Sequence, residues 1–218
     1  MKVERKKIYD PLLRLSHFGI AFFCLILILS AYIAEFYYEE GLLRKSFWVV
    51  HVYSGFALTF FLILRIFWGL IGPKYARWHE MWKWQEWKGA FKARRIHFKW
   101  NWGHHPMASL SYLLFYFILS FLSVTGIILS AIEHNLGPLA SSFYDQLTYR
   151  KDLSELHESL SYFVILFIFS HLFALFWHEN KDQIPIVQSM FSGFQYRKNN
   201  EVKNEDEKYE DEKYEDEK

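Results

Sequence analysis

Four histidines, His17, His51, His157 and His171, stand within or at the margin of long apolar stretches, where a hydrocarbon-facing helix should carry none. Ionisable side chains at membrane depth are expensive, and those that occur face a bundle interior and mark a functional site. Imidazole can bind a metal, shuttle a proton or bridge two helices by a hydrogen bond. The fourteen residues from His157 to His171 come close to four whole helical turns. The two therefore share one helix face, about 21 Å apart, and belong to two sites rather than one.

The elements that must position them are helices. Apolar residues make up 52% of the chain, yet its mean hydropathy is near zero, because charge is confined to loops and the tail. Four stretches, 12–34, 47–71, 107–132 and 157–177, approach or exceed the roughly 20 residues a helix needs to cross the hydrocarbon core. They lack the alternation of a membrane β-barrel, and open strands cannot satisfy their backbone groups in lipid. The expected fold is an all-α integral membrane four-helix bundle. Residues 1–11 form its N-terminal approach, 12–182 the membrane domain and 183–218 a tail, disordered from about 199.

Lys2, Arg5, Lys6 and Lys7 precede the first stretch as they would in a signal peptide. Its apolar run exceeds a signal core and no A-x-A-like site follows, so the stretch is expected to be retained. The single cysteine, Cys24, excludes a disulfide framework and a thiol pair for zinc or redox work. From Glu205 to Lys218 the chain repeats Glu-Asp-Glu-Lys, a composition with little to bury and the mark of a solvated tail.

Loop charge gives the orientation. Lys74, Arg77, Lys83, Lys88, Lys92, Arg94, Arg95 and Lys99 crowd the second loop, whereas the first and third loops are poor in basic residues. The positive-inside rule places that loop and both termini in the cytoplasm. Trp78, Trp82, Trp84, Trp87, Trp100 and Trp102 accompany these cations. Such a mixture beside a membrane suits the headgroup layer of the lipid and argues against nucleic acid as a partner.

With that orientation the histidines pair by depth, His17 with His171 near the cytoplasmic face and His51 with His157 near the outer face. Facing imidazoles from different helices are what a six-coordinate haem iron requires, one ligand on each side of the ring. Gly55 and Gly126 are places where a missing side chain lets a flat ring approach the backbone. Arg14 and Arg65 stand at the cytoplasmic level, placed to meet the propionates of the inner haem; the alternative for each is snorkelling to lipid phosphates.

Other uses of these residues fit less well. A lone histidine would be read as an interhelical hydrogen bond, but four that pair by depth favour ligation. Structural zinc wants four ligands around one centre, and these fall into two separated pairs. His178 continues the seven-residue series through Val164 and His171 but stands beside Trp177, Glu179 and Lys181, as an interfacial residue would.

The string Asp10-Pro-Leu-Leu-Arg-Leu-Ser-His17, the run His51-Val-Tyr-Ser-Gly55, the run Leu64-Arg-Ile-Phe-Trp-Gly-Leu-Ile-Gly72, Gly103-His-His-Pro106, and His157-Glu158 with His171 resemble the bacterial cytochrome b561 family. Within it they are most similar to the cytochrome b subunits of membrane-bound nickel-iron hydrogenases. The resemblance covers roughly residues 8 to 182. It implies two b-type haems on the pairs given above, and electron transfer between a periplasmic hydrogenase or other redox subunit and a quinone. It also implies His104, His105 and His178 as candidates for the quinone site.

The same ligands would serve a stand-alone quinol oxidoreductase or a cytochrome b feeding a periplasmic cytochrome c. A haemless scaffold or transporter is the remaining class. No nucleophile with its base and no phosphate-binding glycine loop is present. Chemistry beyond electron transfer would have to come from haem, quinone or another subunit.

Overall fold

In the computed structural model of the chain, residues 3–36, 41–93, 102–103, 106–143 and 147–198 are described. His104, His105, Trp100 and the acidic repeats lie outside the described residues. The order begins with strand β1 (Val3–Lys7), helix α1 (Pro11–Phe36) and helix α2 (Leu42–Ile71). A 3-10 turn at Lys74–Ala76 leads to α3 (Trp78–Met81) and α4 (Trp84–Ala93). Then come α5 (Pro106–His134), α6 (Ala140–Phe143), a 3-10 turn at Leu147–Tyr149, α7 (Arg150–Asp182), α8 (Val187–Ser192) and strand β2 (Phe194–Lys198).

Helices α1, α2, α5 and α7 are long and apolar enough to cross a membrane. At 1.5 Å per residue even the 26-residue α1 reaches about 39 Å, against a hydrocarbon core of about 30 Å. Their large apolar side chains point outward. Phe22, Leu25 and Leu29 on α1, Phe60, Ile63 and Phe67 on α2, Phe117, Phe121 and Val124 on α5, and Phe163, Leu166 and Phe169 on α7 are all exposed. In water such a surface would aggregate; in lipid it is the solvated face.

The chain forms two compact units. One comprises Leu15–Leu70 and Leu113–Ser170; the other contains the remaining described residues. The first unit is a bundle built from the four long helices. Ile20 and Cys24 from α1, Leu58 and Leu62 from α2, Leu119 from α5 and Val164 from α7 form its buried cluster. Phe23 stacks on Phe61 with ring centres 5.8 Å apart, and Phe115 on Phe167 at 4.2 Å. Lipid supplies no hydrophobic drive between helices, so close packing and small polar residues must hold them. A side chain at Gly19 would run into the Phe61 ring, which is how closely α1 and α2 approach there. Ser16, Ser30, Ser54, Thr125 and Ser130 are buried in this unit.

In the second unit, β1 and β2 form an antiparallel ribbon in which Val3 pairs with Lys198 and Lys7 with Phe194. This departs from the all-helical expectation. The strands are short and far apart in sequence, β1 is charged at four of its five positions, and the Phe194-Gln-Tyr-Arg alternation of β2 is too brief to announce a strand by itself. The residues that follow α7, expected as tail, therefore include α8 and β2. The Lys6 ammonium lies over the rings of Tyr75 and Trp102, 5.6 and 5.7 Å from their centres. Gln195 on β2 accepts a hydrogen bond from the Gly103 backbone at 2.9 Å. Gly103 has φ +99°, and a Cβ there would stand 3.0 Å from the Tyr75 ring, so both conformation and space call for glycine.

The start of α1 is set locally. The Asp10 carboxylate accepts from the backbone N–H groups of Leu12 and Leu13 at 3.0 and 3.1 Å, and Pro11 occupies the first helical position. Together these satisfy donors a helix start leaves open and preset its first φ. On the loop between α2 and α5, Trp82 and Trp84 stack at 6.5 Å and are both exposed, with the Lys88 ammonium over Trp84. Exposed tryptophan with lysine suits the boundary between lipid and water.

Candidate functional site: a pair of facing imidazoles

His51 on α2 and His157 on α7 face each other in the first unit, with ring centres 6.5 Å apart and planes at 71°. Each ring is fixed by a neighbouring helix in the same way. The Ser30 hydroxyl on α1 donates to the Leu27 carbonyl at 3.1 Å, and both oxygens reach His51 Nδ1, at 3.3 and 3.1 Å. On α5 the Thr125 hydroxyl donates to the Leu122 carbonyl at 3.0 Å and lies 2.8 Å from His157 Nδ1. A carbonyl only accepts, and a hydroxyl whose proton is already committed can offer only a lone pair. Nδ1 of His51, 3.1 Å from the Leu27 carbonyl, must therefore carry the proton, and the Leu122 backbone, which also bonds the His157 ring, favours the same tautomer there. The Nε2 lone pair of each is left available to a metal.

The helix face opposite His157 is cut away to admit it. A Cβ at Gly126 would stand 3.1 Å from His157 Cε1, so the space left by that glycine is taken by the imidazole edge. At Gly55 a Cβ would meet only Leu27, at 3.9 Å. Trp48, one turn before His51, presents its ring edge-on to that imidazole at 5.5 Å.

The remaining candidates are distributed between the two units. His17 lies in the unit that holds His51 and His157, half-buried with its ring edge-on to Phe18 at 5.5 Å. In that unit too, Arg65 is 2% exposed and its guanidinium lies over the Tyr116 ring, 5.3 Å from the centre. His171 lies in the second unit, half-buried and edge-on to Tyr112 at 5.8 Å. Arg14, also in that unit, donates to the Phe191 carbonyl at the end of α8. His178 is exposed. His104 and His105 fall outside the described residues. Among the described residues no group of three or more His, Cys, Asp or Glu side chains is gathered as a metal cluster.

The partners of the imidazoles escaped sequence reasoning. Ser30 and Thr125 are single polar residues within apolar runs and give no signal of their own. Their clue is position: each stands near the level of a histidine, on a helix that carries no histidine at that level.

A multi-pass membrane bundle that holds two imidazoles face to face belongs to the class of helical proteins that seat a redox cofactor between their helices. The chain belongs to the prokaryotic cytochrome b561 family, which matches residues 8–193. It is 24% identical over 232 aligned residues to a protein of Rhizobium leguminosarum bv. viciae named "Probable Ni/Fe-hydrogenase B-type cytochrome subunit", with 91% of this chain and 93% of that protein covered. No solved structure matches it. The chain is thus a membrane b-type cytochrome of electron transfer, with b-type haem as its cofactor.

Proposed function

We propose that this cytochrome holds two haems and carries electrons across the bacterial inner membrane, between a periplasmic nickel-iron hydrogenase and the quinone pool. The first haem is assigned to His51 and His157. The observation that carries this assignment is their 6.5 Å separation. A ring nitrogen bonds a first-row metal at about 2.0–2.1 Å and the ring centre lies about 1.1 Å behind it, so two imidazoles in line on one ion have centres about 6 Å apart. Planes that share the ligand axis can take any mutual angle, so 71° is compatible with it. The Nδ1 contacts to Leu27, Ser30 and Thr125 favour the tautomer that ligation needs. The residues present thus fit a six-coordinate haem. Bound there, haem supplies one-electron exchange between ferric and ferrous iron.

The chain's own groups do the rest. His51 and His157 would hold the haem iron, and the buried cluster of Ile20, Cys24, Leu58, Leu62, Leu119 and Val164 would keep water from the bundle interior. His17 and His171 are assigned to the second haem, one four-turn step along α7 from the first. Arg65 supplies a cation for propionate charge on that side, and Arg14 a second. His178, with His104 and His105, is assigned to the quinone site. The hydrogenase partner rests on the name of the Rhizobium relative, and the cytoplasmic placement of both termini on the basic second loop.

Haem counting on the purified full-length protein tests this reading. About two b-type haems per chain are expected, with low-spin spectra, and His157→Ala should retain one of them. A colourless protein, or His157→Ala with both haems intact, would overturn it. Turnover of quinol without any partner would favour a stand-alone quinol oxidoreductase.

A further inference from the structure

The two imidazoles that face each other are held by copies of one small device. On α1 it is the carbonyl of Leu27 with the hydroxyl of Ser30, and on α5 the carbonyl of Leu122 with the hydroxyl of Thr125. In each the hydroxyl bonds the carbonyl three residues earlier. That habit is ordinary in apolar helices: Ser111, Ser161 and Ser170 do the same, and Ser46, Thr59 and Ser120 bond four residues back. What sets Ser30 and Thr125 apart is that both are buried, at 3% and 5% exposure, and both also touch a histidine ring.

Resting on the haem assignment to His51 and His157, we propose that Ser30 and Thr125 are positioning residues that lower the reduction potential of that haem, Thr125 more strongly. An acceptor on Nδ1–H draws the proton away from the ring and makes Nε2 a stronger electron donor. A stronger donor stabilises ferric over ferrous iron. The contacts are unequal. Thr125 Oγ1 stands 2.8 Å from Nδ1 of His157, whereas Ser30 Oγ stands 3.3 Å from Nδ1 of His51 and is the more distant of two acceptors there. Each ring keeps a backbone acceptor when its hydroxyl is removed, Leu122 beside His157 and Leu27 beside His51; removing Thr125 takes away the 2.8 Å contact, and removing Ser30 only one at 3.3 Å.

The test is a spectroscopic redox titration of the purified, haem-loaded protein, comparing Thr125→Val, Thr125→Ser, Ser30→Ala and the control Ser120→Ala. With both haems bound, Thr125→Val should raise one midpoint potential by about 59 mV, a tenfold shift toward ferrous iron and the order of one net hydrogen bond. Ser30→Ala should move the same haem in the same direction by about threefold. Thr125→Ser should restore the parent value, and Ser120→Ala should leave both potentials alone. An unchanged or lowered potential in haem-loaded Thr125→Val would overturn the proposal. If Thr125→Val assembles no haem, Thr125→Ala takes its place; loss of haem in both, with Thr125→Ser loaded, would make the hydroxyl a requirement for binding and likewise overturn it. Should Thr125→Val and Ser30→Ala move different haems, the sharing of one iron by His51 and His157 fails, and the underlying assignment falls with it.

Discussion

The guanidinium of Arg65 lies 5.3 Å from the ring centre of Tyr116, and the arginine is 2% exposed within an apolar helix bundle. A cation at such depth is tolerated because the aromatic face and neighbouring groups replace its water. If it also balances propionate charge, it raises the potential of the haem beside it. Arg65→Gln should then lower that potential. One unit charge about 10 Å away at an effective dielectric of about 20 contributes roughly 1.5 kcal/mol, a little more than tenfold toward ferric iron. Redox titration checks it, and a shift in the haem affected by Thr125→Val would place the charge at the wrong site.

Gly126→Ala tests the seat of His157. Alanine is the better helix residue by about 1 kcal/mol, so a site with room would be stabilised. Here the new methyl would stand 3.1 Å from Cε1, and forcing a packed side chain aside costs about 1–3 kcal/mol. The expected result is a thermal stability near that of the parent with a roughly tenfold weaker hold on one haem. The haem-to-protein ratio after dilution into apo-globin measures it.

The four helices and the facing of His51 and His157 were legible from sequence because apolar runs are long and a helix repeats every 3.6 residues. The partners of the imidazoles were not. A serine or threonine in an apolar helix satisfies itself on its own backbone, so composition cannot distinguish Ser30 from Ser120. The β1–β2 pairing was hidden for a different reason: Val3–Lys7 holds four charged residues, and only packing beside Tyr75 and Trp102 gives it a partner surface. Gly126 was picked out as a gap for a flat ring, but which ring fills it depends on the approach of α7, a tertiary fact.

Asp10→Ala should weaken the start of α1. The carboxylate accepts from two N–H groups that water would otherwise have to reach. Loss of such a cap costs about 1 kcal/mol, a drop of a few degrees in melting temperature. Asp10→Asn should recover most of it, and equal losses in both variants would show that the charge rather than the cap matters.

Alkaline pH should destabilise the second unit through Tyr9. Burial pushes the Tyr9 phenol above its usual range, and the nearby Tyr112 adds to the shift. The folded protein therefore holds the proton more tightly than the unfolded chain, which releases it near pH 10. The stabilisation is fully present below that value and is lost as pH rises toward the folded-state value. Thermal melts from pH 8 to 12 should show a decline that Tyr9→Phe reduces; the same decline in Tyr9→Phe would assign it to other groups.

The ribbon of β1 and β2 has a consequence for how the chain is made. Residues 3–7 are synthesised before any of the four long helices, yet their partner strand is not synthesised until the last of those helices has been completed. Backbone pairing of this kind cannot reach through a bilayer, so the two strands must wait on the same side of it, with an even number of crossings between them. Closing the ribbon thus acts as a latch that only a fully threaded chain can fasten, and a chain arrested with three crossings would leave the two halves of the latch on opposite sides.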